Sequence, residues 1–254
     1  MMRKFAFPLL VFVVQGFAQN TPAASVASQY SLSTSTTIPF PQSTLDNSKT
    51  QTFITSNWGL SKGGIQSGAS NIVFVDDPFP NSPAPGGNST SGPVLQVQYQ
   101  AGSFGSTDAG GAQMYALWNS SGSPFQSMMI SYEVAFDTEF DWVKGGKLPG
   151  IRGGPDPFNC SGGNQANGTN CFSSRLMWRT SGAGEGEFDL CFAVWEFSRH
   201  AYKVYAYVPR PNNICSASGV QCNDQFGISL NRGSFTFSSG QYANYILSLS
   251  CGHC

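Results

Sequence analysis

Met129-Ile130-Ser131-Tyr132-Glu133-Val134-Ala135-Phe136 alternates in part between apolar and polar residues. A period of two sends one set of side chains toward a core and the other toward water, which is the pattern of a half-buried β-strand. Ile, Tyr, Val and Phe also suit a pleated surface. Working outward, Val94-Leu95-Gln96-Val97-Gln98-Tyr99 largely repeats the alternation, and Ser173 to Arg179 and Val204 to Val208 read as shorter strands. Gly233 to Phe237 is a further strand candidate. Between them, residues 76 to 93 carry Pro78, Pro80, Pro83, Pro85, Gly86 and Gly87, and residues 150 to 170 are rich in Gly, Asn and Pro, so both read as loops. No helical period runs through ten residues outside the stretch around 188 to 203, and there is neither a repeat nor a heptad. Many short strands separated by turns predict an all-β protein, an antiparallel β jelly roll or sandwich. With 29 Gly, 15 Pro and only 11% charged residues, the composition is poor in the Lys and Glu that long surface helices need.

The first residues read as an export signal. Arg3 and Lys4 precede an apolar run from Phe5 to Val14, and Gly16-Phe17-Ala18 offers a small-x-small cleavage site. The run is shorter than the roughly 20 residues a membrane helix needs. The expected organisation is a signal peptide over 1–18, a flexible Ser/Thr-rich lead-in over 19–50 and one β domain over 51–254, secreted and extracellular. Seven cysteines in an exported chain imply disulfides and one odd thiol. Cys160 with Cys171, and Cys215 with Cys222, are near enough in sequence to staple loops, which leaves Cys191, Cys251 and Cys254. Sequons at Asn88, Asn119, Asn159 and Asn167 fit a glycosylated surface.

A net charge of −1 gives no reason to expect a nucleic-acid or membrane partner. The distribution is more telling. Lys144, Lys147, Arg152, Arg175 and Arg179 fall between Trp142 and Arg179 with only Asp156 against them, five of the chain's thirteen basic residues. A local positive field in a near-neutral protein suits an anionic ligand. Zinc spacing, a G-x-S-x-G elbow and a P-loop are all missing. Glu133, Asp137, Glu139, Asp141, Glu185 and Glu187 keep a glycosidase carboxylate pair open as an alternative.

Three stretches carry the chemistry. In Lys144-Gly145-Gly146-Lys147-Leu148-Pro149-Gly150, glycines and a proline constrain the backbone on both sides of one lysine. In Phe172-Ser173-Ser174-Arg175-Leu176-Met177-Trp178-Arg179, a strand sets Ser173, Arg175, Met177 and Arg179 on one face, so a hydroxyl and two guanidiniums form a row able to hold a carboxylate. In Val204-Tyr205-Ala206-Tyr207-Val208-Pro209, two phenols stand two residues apart. Trp142, Trp178, Phe136 and Phe140 read as packing.

K-G-G-K-L-P-G, S-x-R-x-M-W-R and Y-x-Y-x-P, in that order with a long cysteine-bearing loop between the first two, resemble the family 14 polysaccharide lyases over roughly residues 125 to 240. The resemblance implies a β jelly roll that cleaves alginate or glucuronan by β-elimination, without metal or organic cofactor, as a monomer acting on an anionic polysaccharide. It implies catalytic roles for Lys147, Ser173, Arg175, Tyr205 and Tyr207, with Lys144 and Arg179 binding substrate. The residue types suit the reaction. A uronate carries an acidic C5 proton beside its carboxylate. Elimination therefore needs the carboxylate charge offset, that proton removed and O4 protonated. The alternative reading is a carbohydrate-binding sandwich without catalysis, or an inactive homologue.

Two segments depart from the family pattern. Phe188 to Lys203 stands between the Gly-Glu turn and Tyr205, as a loop or as translated intron sequence, and the chain stops soon after Gly240, where the family continues with more strands. If the first is an excursion from a strand, Tyr205 and Tyr207 are expected to return beside Arg175.

Overall fold

The computed structural model describes residues 23–84, 92–103, 110–117, 125, 127–167, 169–185, 205–207, 214–223, 227–230, 232–233 and 235–250. The expected signal peptide lies outside these residues. The chain divides into two compact units, one made of Thr34–Pro83 and Asn88–Pro124, the other of Met1–Ser33, Ala84–Gly87 and Phe125–Cys254.

The expected lead-in, 19–50, contains a short helix, α1 (Ala23–Gln29), which buries Val26, and the start of a second, α2 (Asn47–Asn57). The eleven residues of α2 correct the expectation that no helix of that length precedes residue 188. Its period is hidden because only Phe53 and Ile54 are large and apolar. Polar contacts hold it instead. Asp46 caps it by accepting from Lys49 N at 2.9 Å. Asn47 Nδ2 donates to the carbonyls of Ala69 and Ile72, both at 2.8 Å. In the same unit, β1 (Leu60–Ser67) pairs with β4 (Gln113–Ala116), and β2 (Ile72–Val75) pairs with β3 (Val94–Val97). Ile54, Ile72 and Phe74 are buried together, with Leu45, Trp58, Ile65 and Leu95 packed against them.

The larger unit is antiparallel in every named strand pair. β5 (Ser127–Ala135), which contains most of the alternating stretch, pairs along its whole length with β12 (Tyr242–Ser250). The main sheet contains β6 (Gly146–Gly153), β7 (Phe172–Trp178), β8 (Gly184–Glu185), β9 (Tyr205–Tyr207), β10 (Val220–Gln221) and β11 (Ile228–Leu230), in the order β10-β11-β9-β7-β6 with β8 also on β7. Gly233 to Phe237, a strand candidate, forms an isolated bridge from Thr236 to Ala183, flanked by backbone hydrogen bonds from Gly184 N to the Phe235 carbonyl at 2.8 Å and from Phe237 N to the Gly182 carbonyl at 2.7 Å. Gly233 turns the backbone at φ +79°, and Phe237 goes into the core.

β7 organises this unit because its alternate residues serve two different layers. Phe172 packs with Ile151, Leu247, Met128 and Ile130. Trp178 packs with Phe136 and Phe237, flanked by Phe140, Trp142, Leu148 and Tyr245. These contacts lay β5 and β12 against one side of the sheet. Rings meet mainly edge to face, as in Phe136–Trp178 at 5.4 Å and 73°, the arrangement that aromatic quadrupoles favour. Ser173, Arg175 and Met177 point to the other side.

The glycines of the K-G-G-K-L-P-G stretch have a packing reason. Gly146 lies opposite Trp178, and a Cβ there would stand 1.9 Å from the indole. Gly150 lies opposite Arg175, and a Cβ there would stand 2.0 Å from the Ser174 carbonyl oxygen. Gly146→Ala should therefore lower unfolding stability by about 1–3 kcal/mol through overpacking. Denaturant melts of the two proteins would show it, and an unchanged midpoint would mean that the indole moves aside without cost.

Candidate active site

The sheet register assembles the site. Across β6 and β7, Lys147 stands opposite Met177, Gly150 opposite Arg175 and Arg152 opposite Ser173, with a bulge between Lys147 and Gly150. Residues directly opposite one another in an antiparallel pair share a face. Lys147, Arg152, Ser173 and Arg175 therefore lie on the face turned away from β5 and β12. On the other edge of β7, Tyr205 pairs with Arg175 and Tyr207 with Ser173. Arg175 thus has Gly150 on one side and Tyr205 on the other. Gly150 lies close against Arg175, where a Cβ would stand 2.6 Å from the Arg175 Cβ.

β8 and β9 lie along the same edge of β7. Glu185 pairs with Met177 and Tyr205 with Arg175, so one β7 position, Leu176, separates them in the ladder. In the sequence residues 186–204 separate them, and these lie outside the described residues, as do His200 and Cys191. The return of Tyr205 and Tyr207 beside Arg175 is the outcome expected of an excursion from a strand.

Lys147 is exposed, Arg175 partly buried and Ser173 fully buried. Arg175 Nη2 donates to Ser173 Oγ at 3.3 Å, and Ser173 Oγ donates to the Cys160 carbonyl at 2.8 Å. Arg152 Nη2 donates to the same carbonyl at 2.8 Å. Sequence places Arg152 in the basic cluster without giving it a role of its own. Its place opposite Ser173 depends on the bulge, which no spacing rule reveals. Lys144 is exposed in the turn before β6. Arg179 crosses Gly145, where a Cβ would stand 2.9 Å from its Cδ and Nη1.

Both expected disulfides are present. Cys160–Cys171 spans 5.7 Å between Cα atoms and Cys215–Cys222 spans 5.5 Å. The first closes the loop between β6 and β7, where Cys160, Cys171 and Met177 are buried together. Asn159 and Asn167 are exposed on that loop, while Asn88, Asn119, Cys251 and Cys254 lie outside the described residues. Among the described residues no helix is long and apolar enough to cross a membrane.

The bulge that carries Lys147 is held from behind. Tyr132 on β5 donates its phenol to the Pro149 carbonyl at 3.1 Å. Although part of the residue's surface stays open, burial, with Tyr245 beside it, pushes the phenol well above its ordinary value of 10.0. A phenol whose folded value is raised gives stability that is complete below the unfolded value of about 10 and is lost as pH rises toward the folded one. Tyr132→Phe should cost about 1 kcal/mol at neutral pH for the lost hydrogen bond. It should also flatten the fall in stability above about pH 10. Chemical denaturation across that range checks both, and equal alkaline slopes would remove Tyr132 from the account.

An antiparallel β-sheet that places lysine, arginine and tyrosine on three adjacent strands defines a β protein with a cluster of basic positions at its centre. The model of the polysaccharide lyase 14 family matches residues 87–249, and the chain belongs to that family. The structure is similar to the crystal structure of the marine PL-14 alginate lyase from Aplysia kurodai, with a TM-score of 0.62 and 24% identity over 87% of this chain and 80% of that one. That likeness shows the fold, an antiparallel β jelly roll. No curated protein matches the chain. The protein is accordingly a polysaccharide lyase by family and fold.

Proposed function

We propose that the protein is exported and cleaves a 1,4-linked polyuronate, glucuronan or alginate, by β-elimination on the face of β6, β7 and β9 that bears Lys147 and Arg175. The observation that carries this reading is the register that runs Gly150–Arg175–Tyr205 and Arg152–Ser173–Tyr207 across the three strands. Arg175, with Arg179 further along, offsets the carboxylate charge as the C5 proton leaves. The electrons of the C5–H bond form the C4–C5 double bond, the C4–O4 bond breaks, and O4 takes a proton. Lys147 and the phenols of Tyr205 and Tyr207 are the proton-transfer groups on hand, one removing the C5 proton and another supplying O4. The products are an unsaturated uronate at one new end and a reducing sugar at the other. Export is supported by the charged and apolar leader and by two disulfides.

Glucuronan and alginate are tested side by side, following the ultraviolet absorbance of the unsaturated product. Signal with one polymer assigns the substrate. Retention of either polymer without signal would replace the lyase reading by that of a binding module.

A further inference from the structure

We propose that Ser173 is a positioning residue, and that through it the Cys160–Cys171 disulfide orients the Arg175 guanidinium. The inference rests on the reading of Arg175 as the partner of the substrate carboxylate. Ser173 is 0% exposed. A serine hydroxyl has one proton to give, and this one is given to the Cys160 carbonyl at 2.8 Å. What remain are two lone pairs, one of which accepts from Arg175 Nη2 at 3.3 Å. With its proton committed and its surface closed, the hydroxyl reaches substrate only through the guanidinium it holds.

The Cys160 carbonyl is itself fixed. It accepts from Arg152 Nη2 at 2.8 Å as well as from Ser173, which uses both of its lone pairs. Cys160 is 0% exposed and is bonded to Cys171, two residues before Ser173 on the same chain. The ring formed by Cys160, the disulfide, Cys171, Phe172 and Ser173 is short. The covalent bond therefore sets the distance over which the serine can lean. Without the bond the loop carbonyl can drift, the hydroxyl can rotate, and the guanidinium can turn away from the position where enolate charge develops. A displacement of about 1 Å at a reacting group can cost on the order of 100-fold in rate.

The test compares the parent with Ser173→Ala, with the paired substitution Cys160→Ala and Cys171→Ala, and with all three changes together. For each, kcat and KM come from ultraviolet-detected elimination. Rotation of the Arg175 guanidinium comes from NMR on protein with isotope-labelled arginine, assigned with Arg175→Lys. The expected result is a fall in kcat of about 10–100-fold in Ser173→Ala and in the disulfide-free protein, with KM little changed. The triple variant should be no worse than the poorer of the two, because both changes break one chain of contacts. Guanidinium rotation should be slow in the parent and fast in every variant.

Additive losses, or a folded Ser173→Ala protein with unchanged kcat and slow rotation, would overturn the proposal. A fall in melting temperature with kcat preserved would do the same, since it assigns the contacts to stability alone. If the disulfide-free protein does not fold, Ser173→Ala decides through kcat and rotation. If the intact parent shows no elimination, the lyase reading fails, and the rotation measurement alone still upholds or rejects the positioning role.

Discussion

Arg175→Ala should lower kcat by about 10²–10³-fold on the preferred polyuronate, the usual loss when one preorganised donor to a developing oxyanion is removed. In the ground state the carboxylate charge is spread over two oxygens that polymer and water also solvate. As the C5 proton leaves, charge moves into the enolate, and a fixed guanidinium gains more than mobile water can. The loss should therefore fall on turnover more than on KM. The protein should still fold, because Arg175 is only partly buried and sits on the face turned away from the aromatic core. Arg175→Lys keeps a charge but not the planar fork, and should recover only part of the rate. The measurement is ultraviolet-detected elimination beside binding of the same polymer. A larger rise in KM than fall in kcat would make Arg175 a binding group and move enolate stabilisation to another cation.

Much of this site is legible in the sequence because β7 is a plain strand. A two-residue period alone puts Ser173 and Arg175 on one face of β7, and Phe172 and Trp178 on the other. The Tyr205 and Tyr207 pair is legible for the same reason, and β9 pairs with β7 beside Arg175 and Ser173. The disulfides are legible because cysteines about ten residues apart in a Gly-rich loop close easily. Arg152 is not, since its place opposite Ser173 depends on a bulge that shifts register between Lys147 and Gly150. The tie from Ser173 to the Cys160 carbonyl is hidden too, because a backbone acceptor has no signature in side-chain pattern.

The same limits explain the misses in the fold. α2 is held by the Asp46 cap, by Asn47 side-chain bonds and by two large apolar residues, so its stability comes from tertiary contacts rather than from a stripe. Tyr242 to Ser250 lacks an alternation clean enough to be read as a strand, yet it matches β5 residue for residue over nine positions. Pairing of this length is a property of two segments together, and neither shows it alone. Gly233 to Phe237 carries strand-forming aromatics, and Phe235 and Phe237 pack ring to ring at 5.1 Å while the backbone bonds to the short stretch 182–184.

Lys147→Ala should be nearly inactive, with turnover down about 10²–10⁴-fold, the range for loss of a general acid or base. Lys147 is exposed at a bulge whose neighbours are fixed, with Trp178 over Gly146, the Tyr132 phenol on the Pro149 carbonyl, and the β7 backbone against Gly150. This surround fixes the backbone beneath an exposed side chain set opposite Met177 on β7. Binding of the polymer should survive, because Arg175, Arg179 and Lys144 retain the positive field. Lys147→Arg separates the two roles a lysine can have. If Lys147 moves a proton, arginine fails as alanine does, since a guanidinium does not give up its proton at usable pH. If Lys147 supplies charge alone, arginine recovers most of the rate. Tyr207→Phe should be inactive in parallel if a phenol is the other proton-transfer group, and full activity there would leave Tyr205 as that partner. Near-parental elimination by Lys147→Ala would place the chemistry elsewhere on the sheet, whatever the other variants do.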